Sequence, residues 1–96
     1  MPFSVTLTKK GTYSFCLDGV KMNTIENKSS VPIKIDGFLE AFFEKENKQS
    51  AKKVYLLNGS FFKIPIGEHR LSILINGKHC WSSEIVEDFE FNYLYL

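Results

Sequence analysis

What this chain lacks narrows it before any motif is considered. No stretch of its 96 residues approaches the ~20 consecutive apolar residues of a membrane-spanning helix. The opening MPFSVTLTKK has no basic segment followed by an apolar run, so no signal peptide is expected and a cytosolic location is the default. A surplus of one charge is missing too: twelve Lys and Arg stand against eleven Asp and Glu, for a net charge of +1. Binders of nucleic acid or anionic membrane draw their affinity from a basic excess, so neither partner is expected. Cysteine is limited to Cys16 and Cys80. Their wide separation suits an immunoglobulin-type bridge, but the companions of that bridge are absent. Lys78, not Tyr, stands two before Cys80, and the sole Trp, Trp81, directly follows it. Buried free thiols in a reducing compartment are the reading.

Reactive constellations are equally scarce. His79 and Cys80 are neighbours in a strand pattern, where successive side chains point to opposite faces, so they do not make a Cys–His dyad. A two-residue turn at Asn76-Gly77 places His69 opposite Glu84 and His79 opposite Leu74. Glu68, His69, His79 and Cys80 then fail to converge on a zinc ion, and no CxxC or HxxxH spacing exists. His69 is expected instead to close the corner Pro65-Ile66-Gly67-Glu68 through a backbone hydrogen bond. Glu40, Glu44 and the pair Glu87-Asp88 read as solvated surface acids. Phosphate loop, nucleophile elbow and dinucleotide fingerprint are all absent. No catalytic residue, metal or cofactor is expected, and the chain is not read as an enzyme.

What is present is alternation. Phe3, Val5 and Leu7 alternate with Ser4, Thr6 and Thr8, a half-buried strand ending at Lys9-Lys10-Gly11. Tyr13, Phe15 and Leu17 repeat the pattern up to Asp18-Gly19, a strong hairpin signal, and Val20, Met22 and Thr24 follow. Folding about that turn pairs Leu17 with Val20, Phe15 with Met22 and Tyr13 with Thr24 on one face. Val31, Ile33 and Ile35 form a short strand closed by an Asp36-Gly37 turn. The segment 38–48, FLEAFFEKENK, reads as strand between strands, the alternative being a short helix with Phe38, Leu39, Phe42 and Phe43 on one face. Glu44 to Lys53 reads as a polar loop. Val54 to Leu57 and Phe61 to Ile64 flank the hairpin signal Asn58-Gly59.

The most ordered stretch is Ile64 to Glu84. Leu71, Ile73 and Ile75 alternate with Arg70, Ser72, Leu74 and Asn76, Asn76-Gly77 supplies a tight turn, and a return strand runs through His79, Cys80 and Trp81. A two-residue turn there pairs Ile73 with Cys80 and turns Trp81 outward, whereas a three-residue turn with a bulge pairs Ile73 with Trp81 and buries the indole. At the end of the chain Phe89, Phe91, Tyr93 and Tyr95 alternate with Glu90, Asn92, Leu94 and Leu96, and no charge follows Glu90. No repeat of fixed period is visible in the residues.

Short strands with turn signals about every ten residues predict a single all-β domain over 1–96, an immunoglobulin-like antiparallel sandwich of about seven to nine strands. The alternatives are a small closed barrel or an α+β fold with the helix near 38–48. Core positions include Phe15, Leu17, Ile33, Ile35, Leu71, Ile73 and Ile75. VPIKIDG (31–37) and IPIGEHRLSILINGK (64–78) resemble the two ends of a PEGA-type or other immunoglobulin-like β module: an apolar strand ending in Asp-Gly, then a Pro-x-Gly-x-His corner entering an alternating strand. The resemblance spans about half the chain. It implies a binding or scaffolding part of a larger assembly and brings no active-site residue.

The functional expectation is a non-enzymatic interaction or structural module with a protein partner or self-association. Candidate contacts are Trp81, Phe91, Tyr93 and Tyr95, together with Lys52 and Lys53; the basic 45–53 loop and the acidic 84–90 segment are expected to set the orientation of a partner by complementary charge. The second reading is a small-ligand carrier with an aromatic pocket lined by Phe42, Phe43, Phe61 or Phe62.

Overall fold

A computed structural model describes residues 2–44, 49–56, 60–64, 68–85 and 93–96, with side chains placed for 2–37, 68–84 and 93–96. Among the described residues nine strands follow one another, β1 (Pro2–Leu7), β2 (Gly11–Leu17), β3 (Val20–Asn27), β4 (Ile33–Glu44), β5 (Gln49–Leu56), β6 (Ser60–Ile64), β7 (His69–Ile75), β8 (Lys78–Ile85) and β9 (Tyr93–Tyr95). They form two open sheets, ordered β6-β5-β4-β1-β9 and β3-β2-β7-β8, so the fold is an all-β sandwich and not a closed barrel. No helix occurs among the described residues, and 38–44 is strand, as the alternation favours. The stretch 45–48 lies outside the described residues.

Burial follows the period-two pattern that builds the strands. Phe3, Val5, Leu7 and Ile35 from the first sheet meet Tyr13, Phe15, Leu71 and Ile73 from the second, and all eight form one buried cluster. Leu17, Ile33 and Ile75 flank it, partly buried. Each fully buried side chain of this size contributes roughly 1.5–3 kcal/mol, which makes the shared face of the sheets the main source of stability.

The β3-β2-β7-β8 sheet has an order that the residues do not announce. Tyr13, Phe15 and Leu17 of β2 stand opposite Ile75, Ile73 and Leu71 of β7. Adding 58 to a residue number (Asp18 to Asn76) carries the first hairpin onto the second: Thr12–Glu26 becomes Arg70–Glu84, Phe15–Asn23 becomes Ile73–Trp81, and Leu17–Val20 becomes Ile75–Lys78. The sheet is therefore pseudo-two-fold about the Phe15–Ile73 pair. Both turns place their first residue at left-handed φ (Asp18 51°, Asn76 50°) and a Gly at the second (Gly19 80°, Gly77 79°), the type I′ geometry that suits twisted hairpins.

Each hairpin also carries one bulge at the equivalent place. Met22 is the extra residue of β3, so Phe15 faces Asn23 and Tyr13 faces Ile25, and of the three expected pairs Leu17–Val20 alone holds. Cys80 is the extra residue of β8: the turn has two residues, yet Ile73 faces Trp81. His79 does lie opposite Leu74, but His69 lies opposite Ile85 in place of Glu84. A bulge shifts parity by one, which is why face assignments beyond it change.

The other sheet corrects three further expectations. Asp36-Gly37 is no turn; both residues lie inside the 12-residue β4, which pairs β1 through Ile33 to Phe38 and β5 through Gly37 to Glu44. Gly37 is buried opposite Phe3, and a Cβ there would fall 2.2 Å from the Phe3 ring. The Asp-Gly pair reflects this close approach and not a change of direction. Likewise 49–53 is not loop but the start of β5, and Val31 precedes β4 and is exposed.

Asn27, buried at the end of β3, satisfies its surroundings. Its Nδ2 donates to the Leu7 and Val31 carbonyls at 3.2 and 3.1 Å, and its Oδ1 accepts from Ser29 N at 3.2 Å.

Gly37→Ala is expected to cost about 1–3 kcal/mol, the usual penalty of overpacking. Urea titration of Gly37→Ala, Phe3→Leu and the double variant checks this. Phe3→Leu should cost less in the Gly37→Ala background than in the parent chain; strictly additive costs would contradict the contact.

Candidate interaction surface

Strand β9 lies at an edge of the five-stranded sheet and runs parallel to β1, with Ser4, Val5 and Thr6 opposite Tyr93, Leu94 and Tyr95. Every other strand pairing among the described residues is antiparallel. Leu94 and Leu96 turn inward and pack against the core. Tyr93 and Tyr95 point the other way and are 69% and 72% exposed.

The backbone alternates with the side chains. Leu96 N donates to Thr6 O at 2.8 Å, so the main-chain groups of Leu96 and Leu94 address β1. Those of Tyr93 and Tyr95 consequently face the open edge. Two N–H groups, two carbonyls and two phenol rings are thus presented together, and residues 93–96 carry no charged side chain.

The second sheet treats its edges differently. Each of β3 and β8 has a bulge and charged residues, Lys21 and Glu26 on one and Lys78 and Glu84 on the other. Bulges and charge are the means by which edges are blunted against adding a strand. Among the described side chains, β9 is protected only by being short.

A buried tyrosine fastens this edge. Tyr13, with no exposed surface, places its hydroxyl 2.9 Å from Leu96 O and 3.1 Å from both Lys9 N and Lys9 O. Lys9 N donates to the hydroxyl oxygen, while the single phenolic hydrogen is shared between two carbonyls. The Tyr13 position is legible as core, but its hydroxyl's role emerges only when residue 96 arrives.

At the far end of β2, Asp18 gathers a polar cluster. Its Oδ2 lies 2.6 Å from His69 Nδ1, and its Oδ1 accepts from Arg70 N at 2.9 Å. The bond from the His69 side chain, then that from the Arg70 amide, holds the Asp18 carboxyl below its ordinary pKa. Arg70 in turn donates to Glu84 at 3.1 Å and Ser82 at 3.3 Å. His69 therefore meets Asp18, and residues 65–67 of the corner it was expected to close lie outside the described residues. An exposed pair such as Arg70–Glu84 contributes about 0–1 kcal/mol.

The remaining candidates separate. Trp81 is half-buried on β8 of the four-stranded sheet and packs against the core. Lys52 and Lys53 belong to β5, opposite Ala41 and Glu40 on one side and Ile64 and Lys63 on the other, so they are not in a loop. Their side chains, Phe91, and the side chains of Phe42, Phe43, Phe61 and Phe62 lie outside the described residues. Cys16 is buried, Cys80 partly so, and both are free thiols. Among the described residues no cluster of His, Cys, Asp and Glu could hold a metal, and no helix is long and apolar enough to cross a membrane. No family model, curated protein or solved structure matches this chain.

Tyr13→Phe is expected to cost about 1–2 kcal/mol and to speed exchange of the Leu94 and Leu96 amides more than that of β2 and β7 amides. Equal acceleration across all four strands, or none, would contradict the fastening role. Trp81 emission should be blue-shifted relative to the unfolded chain and only partly quenched by iodide; fully exposed emission would count against its packing on the core.

Proposed function

We propose that this chain is a non-enzymatic protein-interaction module that takes its partner by strand addition at the β9 edge. The observation that carries this reading is the coincidence of outward main-chain groups and outward tyrosine rings on Tyr93 and Tyr95. In strand addition the main-chain hydrogen bonds supply affinity, and alternate side chains supply specificity. Tyrosine suits the second task, because its ring offers large contact area and its hydroxyl a polar tip. The uncharged edge supports a partner segment whose own strand is predominantly apolar or neutral. A second copy of this chain is one such partner.

The buried cluster at Tyr13, Phe15, Leu71 and Ile73 supports the module over a carrier in that part of the sandwich, while the side chains of Phe42, Phe43, Phe61 and Phe62 lie outside the described residues. The immunoglobulin-like resemblance favours the same reading.

The test is a pair of edge variants. Tyr93→Lys with Tyr95→Lys places charge on the edge, and surface changes of this kind usually alter stability by less than ~0.5 kcal/mol. Sedimentation velocity across a hundredfold range of concentration reads self-association, and pull-down from the source cell reads other partners. The proposal expects association in one of the two assays, lost in the double variant while its urea midpoint holds. Undiminished association by the double variant, or none by the parent chain in either assay, would overturn it.

A further inference from the structure

The two ends of the β2–β7 pair are built alike but not from the same residues. At one end Asn76 N donates to Thr12 O at 2.8 Å, and Asn76 Oδ1 accepts from Thr12 N at 2.9 Å. At the other, Asp18 N donates to Arg70 O at 2.8 Å, and Asp18 Oδ1 accepts from Arg70 N at 2.9 Å. One neutral amide therefore meets every demand of this turn. The carboxylate of Asp18 has an oxygen left over, and that oxygen meets His69 Nδ1 at 2.6 Å. The residue equivalent to His69 at the Asn76 end is Gly11, which offers nothing to titrate. The Asp18–His69 contact is thus an addition to a turn that closes without it.

We propose that Asp18 and His69 form a pH-responsive clasp that tightens one end of the four-stranded sheet when the imidazole is protonated. The clasp joins the β2–β3 turn to the first residue of β7, and the His69 side chain is only 17% exposed, which limits its screening by solvent. Other charged groups near the pair, among the described residues, come from each element packed there. Arg70 of β7 is engaged with Glu84 of β8, Glu68 precedes β7 and is exposed, and Lys21 of β3 stands opposite Cys16. Ile85, opposite His69 on β8, brings no charge.

The direction in pH follows from which form each partner prefers. A carboxylate beside the ring favours the imidazolium form, so the pair contributes fully while the ring is protonated and loses that contribution as pH rises and the ring gives up its proton. Asp18 is lowered, so its contribution is present above ~3.9 and is lost as pH falls through the lowered value. The clasp is tightest in mild acid between those limits. Above them a neutral imidazole still donates from Nδ1, but without the charge.

Asp18→Asn separates clasp from turn, since Asn76 shows that an amide supports the same geometry. The experiment follows the His69 ring by NMR from pH 4.5 to 9, and compares amide protection factors of Arg70 and Thr12 at pH 5.5 and 8. In the parent chain, Arg70 protection relative to Thr12 should fall on going to pH 8, roughly tenfold for each unit by which His69 is raised. In Asp18→Asn the His69 midpoint should fall below that of the parent chain and the pH dependence of the Arg70 to Thr12 ratio should shrink. An unchanged His69 midpoint in the variant would overturn the proposal. So would an Arg70 to Thr12 ratio that does not move with pH in the parent chain, a result that needs no variant to fold.

Discussion

Phe15 and Ile73 face each other at the middle of β2 and β7, and the rest of the four-stranded sheet is laid out symmetrically about them. Both are 1% exposed, and both sit in the cluster that joins the two sheets. The pairing of β2 with β7 is long-range in sequence, so it must be held firmly enough to offset the entropy of closing the chain between them. Burial does most of this. Asp18 and Asn76 add main-chain and side-chain bonds at the two ends of the pair, each turn gripping the strand of the other hairpin. With both ends gripped and the middle buried, neither hairpin can slide by a residue without turning its apolar face to water.

The five-stranded sheet is joined to the four-stranded one by the shared core cluster and by specific polar links. Asn27 reaches the Leu7 carbonyl, and the Tyr13 hydroxyl reaches Leu96. The last of these matters most for function. A three-residue strand brings little pairing energy of its own, so β9 is positioned by Leu94, Leu96 and the Tyr13 bond, which lets Tyr93 and Tyr95 face outward. A residue at the centre of one sheet thus sets the edge of the other, and the proposed binding edge inherits its order from the core.

Much of this was legible in the residues, for identifiable reasons. Period-two alternation in Phe3 to Leu7, Tyr13 to Leu17 and Leu71 to Ile75 marks strands with one buried face, and burial follows it. Asp18-Gly19 and Asn76-Gly77 mark type I′ turns because few other pairs tolerate two left-handed residues. The bulges at Met22 and Cys80 leave no such mark; neither residue is Gly, and a bulge is set by the twist and packing of neighbouring strands. Asp36-Gly37 carries a turn signal for a different cause, the Phe3 ring, which is remote in sequence. The pseudo-two-fold order is invisible for a related reason: residues 11–27 and 69–85 share only Ser14/Ser72, Gly19/Gly77 and Glu26/Glu84, since hydrophobic type and turn geometry were enough to specify it. At the candidate surface, the alternation distinguishes the tyrosine side of β9 from the leucine side, but which side faces solvent is decided by the parallel pairing with β1. The Asp18–His69 contact joins residues that only the β2–β7 register brings together.

Native-state hydrogen exchange across β2 and β7 addresses the root of this picture. If the Phe15–Ile73 pair organises the sheet, the internally bonded amides of both strands should open together, with one free energy equal to that of global unfolding and the same dependence on low denaturant. Separate opening of the β2–β3 and β7–β8 hairpins at distinct, lower free energies would mean that the hairpins stand independently, and the account would fail at its centre.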